Sequence, residues 1–124
     1  MSNKPYKQKP IPEKVIQAQI LSFLQFIGVF AWRNQSTGIY DPTRMVFRRP
    51  MSKHQIKGVS DILGILPNGQ FLAIEVKSAK GYASPDQKAF LERIEANGGV
   101  SMIARSMVEV EQMLKTICPQ LFLK

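Results

Sequence analysis

Two charged residues, Glu75 and Lys77, flank Val76 in the apolar run FLAIEVKS, residues 71–78. A short run rich in branched and aromatic residues predicts a strand, and residues two apart on a strand share a face. Glu75 and Lys77 then point one way while Ile74 and Val76 point into the opposite layer. Charges on a largely apolar strand are costly unless they are paired or bind a metal ion. Glu-x-Lys alone is a common tripeptide, for which a surface ion pair is the ordinary explanation. Asp61 shifts the balance. It lies in the preceding run, GVSDILGIL, residues 58–66, and Pro67, Asn68 and Gly69 separate the two runs as the turn of a hairpin. A three-residue turn pairs Leu66 with Gln70 and brings Asp61 opposite Glu75 on the same face. A two-residue turn at Asn68 and Gly69 sends Asp61 to the other face instead.

In the first register two carboxylates and an ammonium converge. Carboxylates held this close repel each other unless a cation lies between them, and hard oxygen ligands favour Mg²⁺ or Mn²⁺. The backbone carbonyl of Val76 is a further candidate ligand. A divalent ion there can polarise a phosphodiester, activate water and stabilise the leaving oxygen. Lys77, beside the water and the scissile phosphate, would neutralise charge developing in the transition state. His54 and Cys118 are the only histidine and cysteine, so neither a disulfide within the chain nor a Cys/His zinc set can form.

The elements that position these groups follow from periodicity. Ile16, Ile20, Phe23, Leu24 and Ile27 recur at helical spacing, predicting a first helix from Pro12 to Ile27 with Gly28 as its stop. Glu13 heads that apolar stripe and should face the sheet. A first-turn glutamate is also explained by the helix dipole, and Gln17, one turn on, could serve in its place. Val29 to Arg33 suits a strand, with Trp32 read as core packing. Residues 34–59 read as a long irregular region, in which Arg44 to Arg48 can form a short strand. Ser84, Pro85, Asp86 and Gln87 open a second helix with a capping box, its core face Phe90, Leu91 and Ile94. Gln87 is explained by that cap, yet it also lies on the inward side. Val100 to Ala104 predicts a buried strand, and Ser106 with Glu109 caps a last helix. The expectation is an α/β fold, a small mixed sheet with helices on both faces.

The chain has 124 residues and a net charge of +8, which suits one domain of residues 12–124 behind a flexible basic tail of residues 1–11. The charge is uneven. Residues 1–60 hold ten Lys and Arg against Glu13 and Asp41, while the remainder is balanced at seven and seven. A basic face of this kind points to nucleic acid, with Arg44, Arg48, Arg49, Lys53 and Lys57 as its DNA-binding candidates. No apolar run is long enough to span a membrane, and no secretory signal follows the basic start, so a cytoplasmic address is expected.

The strings GVSDILGIL, FLAIEVKS and GYASPDQKAFLERIEANGG, in that order, resemble the virus-type replication-repair nuclease family, a branch of the PD-(D/E)xK nucleases. The resemblance implies a restriction-endonuclease-like core, a divalent metal and hydrolysis of DNA phosphodiesters, commonly in branched or structured DNA and often by a homodimer. By position it implies that Asp61, Glu75 and Lys77 form the catalytic motif, that Gln87 matches the glutamine of the next helix, and that Glu13 is the counterpart of a first-helix glutamate. Ser60 departs from the family, which usually has proline before the aspartate. Junction resolution and broader nicking or repair both fit these motifs. A catalytically inert DNA-binding module with the same fold is the competing reading from another class, and a basic protein-binding scaffold is a third.

Overall fold

The computed structural model describes residues 9–35, 39–41, 46–48 and 54–123. Helix α1 spans Glu13–Phe26, one residue shorter at each end than its apolar periodicity suggests, and buries Ile16, Ile20 and Leu24. Strand β1, Phe30–Arg33, follows it. Two three-residue strands, β2 (Ile39–Asp41) and β3 (Val46–Arg48), pair antiparallel with each other. The second lies within Arg44 to Arg48, where the sequence allows a short strand, while β2 lies in a stretch that reads as irregular. Then come β4 (Ile62–Ile65), β5 (Phe71–Val76), α2 (Pro85–Ala96), β6 (Val100–Ala104), α3 (Met107–Ile117) and a 3-10 turn, Pro119–Phe122.

The main sheet has the order β1-β4-β5-β6, antiparallel except for the parallel β5–β6 pair. That pair is joined through α2, as a parallel connection requires. Alternation along β5 separates two layers. Leu72, Ile74 and Val76 meet Ile16, Ile20 and Leu24 of α1 and Val110 and Leu114 of α3 in one buried cluster. Each such side chain contributes about 1.5–3 kcal/mol by leaving water. The opposite face carries Ala73 and Glu75 and is covered by α2, which packs on β5 and β6. There the Ser101 hydroxyl donates to the Leu91 carbonyl at 3.0 Å.

Since α2 reaches only this half, Phe30 of β1 is left 69% exposed and its partner Ile65 42% exposed. Trp32 is 37% exposed and packs edge-on against Phe30, which corrects its reading as a core residue. The error is one of sheet coverage: β1 is an edge strand, and among the described residues no helix lies over its outer face. Among the described residues no helix is long and apolar enough to cross a membrane.

Candidate active site

The β4–β5 hairpin settles the register question. Gly69 N–H donates to the Leu66 carbonyl at 2.8 Å and Leu66 N–H to the Gln70 carbonyl at 2.9 Å, enclosing the three-residue turn. Ile62 pairs with Ile74 at the far end of the ladder, so the next position out sets Asp61 against Glu75. At that point a side chain replaces main-chain pairing: Val76 N–H donates to Asp61 Oδ2 at 2.9 Å. The Asp61 carbonyl accepts from Asn34 N–H at 2.8 Å, so Asp61 is held from β1 as well as from β5.

Glu75 is 1% exposed. Its Oε1 accepts from Gln87 Nε2 at 2.9 Å and lies 3.5 Å from Lys77 Nζ. Its Oε2 is buried with no hydrogen-bond partner. Burial pushes the Glu75 carboxyl up to about 8, the nearby Asp61 carboxyl adds to the rise, and Lys77 offsets part of it. Buried carboxylate oxygens are normally satisfied. An orphaned oxygen beside a second carboxyl therefore marks a place suited to a cation, and Asp61, Glu75 and the Val76 carbonyl are the hard donors present.

Gln87 completes its capping box and also turns inward, where it meets Glu75. Its Oε1 accepts from Ser84 N–H at 2.8 Å and its own N–H donates to Ser84 Oγ at 3.2 Å, completing the capping box. The amide nitrogen of the same side chain is then aimed at Glu75. The first turn of α2 is seated against Gly58, where a Cβ would come 2.3 Å from the carbonyl carbon of Asp86.

Glu13 lies at the edge of this arrangement. Its Oε1 accepts from Ser78 N–H at 3.4 Å, just past Lys77. Among the described residues no three His, Cys, Asp or Glu side chains form a group, so Glu13 does not join Asp61 and Glu75 in a three-carboxylate cluster. Gln17 is half-buried on the same helix. Of the basic candidates, Lys57 is exposed next to Gly58 and the start of α2. Arg44, Arg49 and Lys53 lie outside the described residues, as does the side chain of Arg48 at the end of β3.

Arg105 was missed. Lys77 N–H donates to the Ala104 carbonyl at 3.0 Å, extending the β5–β6 ladder and bringing Arg105 alongside the residues after Glu75. Its Nη1 donates to the Ser78 carbonyl, and its guanidinium lies 6.0 Å from the centre of the Tyr82 ring. Pairing VSMIA in parallel with FLAIEV would have revealed this neighbour.

A family model, the VRR-NUC domain, matches residues 32–108, more than half of the chain. The chain belongs to the VRR-NUC family. This VRR-NUC domain is also similar to a solved structure described as a "VRR_NUC domain protein", with a TM-score of 0.59 at 18% identity, over 86% of this chain and 88% of the other. At that identity the likeness shows the fold. No curated protein matches the chain. Membership of the VRR-NUC family implies a nuclease-like function, and the matched span includes Asp61, Glu75, Lys77 and Gln87.

Proposed function

We propose that the chain is a metal-dependent endodeoxyribonuclease, with residues 12–124 as one nuclease domain and residues 1–11 as a basic tail. The observation that carries this reading is the Glu75 carboxyl, buried beside Asp61 with one oxygen unpartnered. Asp61, Glu75 and the Val76 carbonyl would hold Mg²⁺ or Mn²⁺, while Glu13, bonded to Ser78 and outside this carboxylate pair, serves the neighbouring backbone instead. When bound, such an ion supplies Lewis-acid polarisation of the phosphodiester and lowers the pKa of a coordinated water.

The surrounding residues have separable tasks. Lys77 holds a positive charge where negative charge grows on the phosphate. Gln87 fixes the orientation of the Glu75 carboxylate, as partners of metal ligands generally do. Glu13 holds Ser78 and so the start of the connection after Lys77. Arg44, Arg48, Arg49, Lys53 and Lys57 contact DNA phosphates, and this binding weakens steeply with salt. The substrate is branched or structured DNA inside the cell, and two copies of the chain supply one centre for each strand cut.

Cleavage of linear duplex, single-stranded, flap and four-way-junction DNA with Mg²⁺ or Mn²⁺, by wild type and Lys77→Ala, tests the reading. The expected result is metal-dependent cutting that falls about 10²–10³-fold in the variant. Binding by both proteins with no cutting of any substrate would instead favour an inert DNA-binding module. A monomeric mass under active conditions would remove the homodimer.

A further inference from the structure

We infer that Tyr82 is a stacking platform for an unpaired nucleobase next to the reacting phosphate, with Arg105 as the residue that positions its ring. The inference rests on the nuclease reading above and names the feature of structured DNA that this site detects.

Tyr82 is 84% exposed, an unfavourable setting for a large ring. The connection that carries it is nonetheless fixed at several points. Ser78 N–H donates to Glu13, the Ser78 carbonyl accepts from Arg105, and Gly81 N–H donates back to the Ser78 carbonyl at 3.1 Å. On its far side Ala83 is buried and Ser84 caps α2. An aromatic side chain displayed on an anchored loop loses little freedom when a ligand stacks on it. The guanidinium of Arg105 approaches the ring and leaves most of its surface to solvent.

A flat ring beside a fixed cation suits a ligand that combines a planar group with a phosphate, which is the make-up of a nucleotide. Bases within a duplex already stack on one another, whereas an unpaired base offers a free face, and stacking on aromatic side chains is tolerant of sequence. The connection begins at Lys77 and ends at the cap before Gln87, and both of those residues touch Glu75. A base held on Tyr82 therefore belongs to a nucleotide close to the candidate metal site.

The decisive comparison is between a single-stranded oligonucleotide and an abasic strand of equal length, each titrated at fixed salt in EDTA. The two carry the same phosphates, so their difference isolates the base. Wild type is expected to prefer the base-bearing strand, Tyr82→Ala to lose about 5- to 150-fold on that strand alone, and Tyr82→Phe to keep the preference. Arg105→Ala should reduce the preference and Arg105→Lys restore part of it. In cleavage of a flap substrate, the Tyr82→Ala defect should appear in KM more than in kcat. Wild type that cuts DNA yet shows no preference for the base-bearing strand would overturn the Tyr82 inference alone. Wild type that neither binds nor cuts any DNA would overturn the nuclease reading and this inference with it.

Discussion

Glu75 and Gln87 meet through a 2.9 Å hydrogen bond that satisfies one oxygen of the carboxylate and leaves the other buried without a partner. In the absence of metal, that carboxyl holds its proton far above the ordinary range, at about 8 against 4.5. The folded chain thus binds a proton that the unfolded chain has released. The corresponding stability is complete below about pH 4.5 and is lost as the pH rises through about 8. Thermal melts in EDTA should show Tm falling across this window. Glu75→Gln, which imitates the neutral form, should flatten the fall and exceed wild type at the alkaline end by at least about 4 °C, or roughly 1 kcal/mol. Parallel pH profiles for the two proteins would place the proton elsewhere.

Adding Mn²⁺ or Mg²⁺ should reverse that trend, because a cation needs the ionised carboxylate. Ligand at about 100 times its Kd adds roughly 2.7 kcal/mol of stability, several degrees in Tm for a domain of this size. The shift should be larger at high pH and should vanish in Asp61→Asn and Glu75→Gln. Equal metal-induced shifts in wild type and both variants would mean that the ion binds at another place.

Ser84→Ala and Gln87→Ala separate the two uses of the Gln87 side chain. Each breaks the capping box and should cost about 1 kcal/mol in urea unfolding. Only Gln87→Ala also releases Glu75, so it should lose a further 10- to 100-fold or so in cleavage. If the two variants lose activity equally, the contact with Glu75 matters only to folding.

Gly58→Ala should be among the most damaging exchanges outside the site itself. The backbone at this position has φ 77°, and an added Cβ would meet the main chain of Asp86 and Gln87, neither of which can swing aside. Gly69 has a similar φ of 89° but open space around it, so Gly69→Ala should cost only about 1 kcal/mol. The measurement is the difference between the two urea midpoints, together with cleavage. Gly58→Ala should lose both stability and activity, since the helix start that aims Gln87 rests on it.

Much of this site is legible because hairpin chemistry is local. Pro67, Asn68 and Gly69 form the turn, and alternation in FLAIEVKS supplies the faces, so the opposition of Asp61 and Glu75 follows from counting. The capping box at Ser84 is similarly local. Position across the fold is less so. Trp32 reads as core because its type favours burial, but whether a helix covers the outer face of β1 depends on where α2 comes to rest. Arg105 escapes notice because its proximity to Ser78 arises from a parallel pairing between strands joined through α2. Periodicity turns Glu13 toward the sheet, but its bond to Ser78 depends on how α1 docks, which periodicity does not set.

The anchoring of Ser78 also bears on the order in which the chain assembles. The β4–β5 hairpin closes over a short loop, so Asp61 and Glu75 can meet early. Ser78, in contrast, is gripped by partners 65 residues upstream and 27 residues downstream. Closing such loops is entropically slower than closing a hairpin. A nascent chain ending before Arg105 therefore lacks the downstream half of the clasp on the segment after Lys77. The segment after Lys77 is thus completed only once residues well beyond the hairpin have been added to the chain.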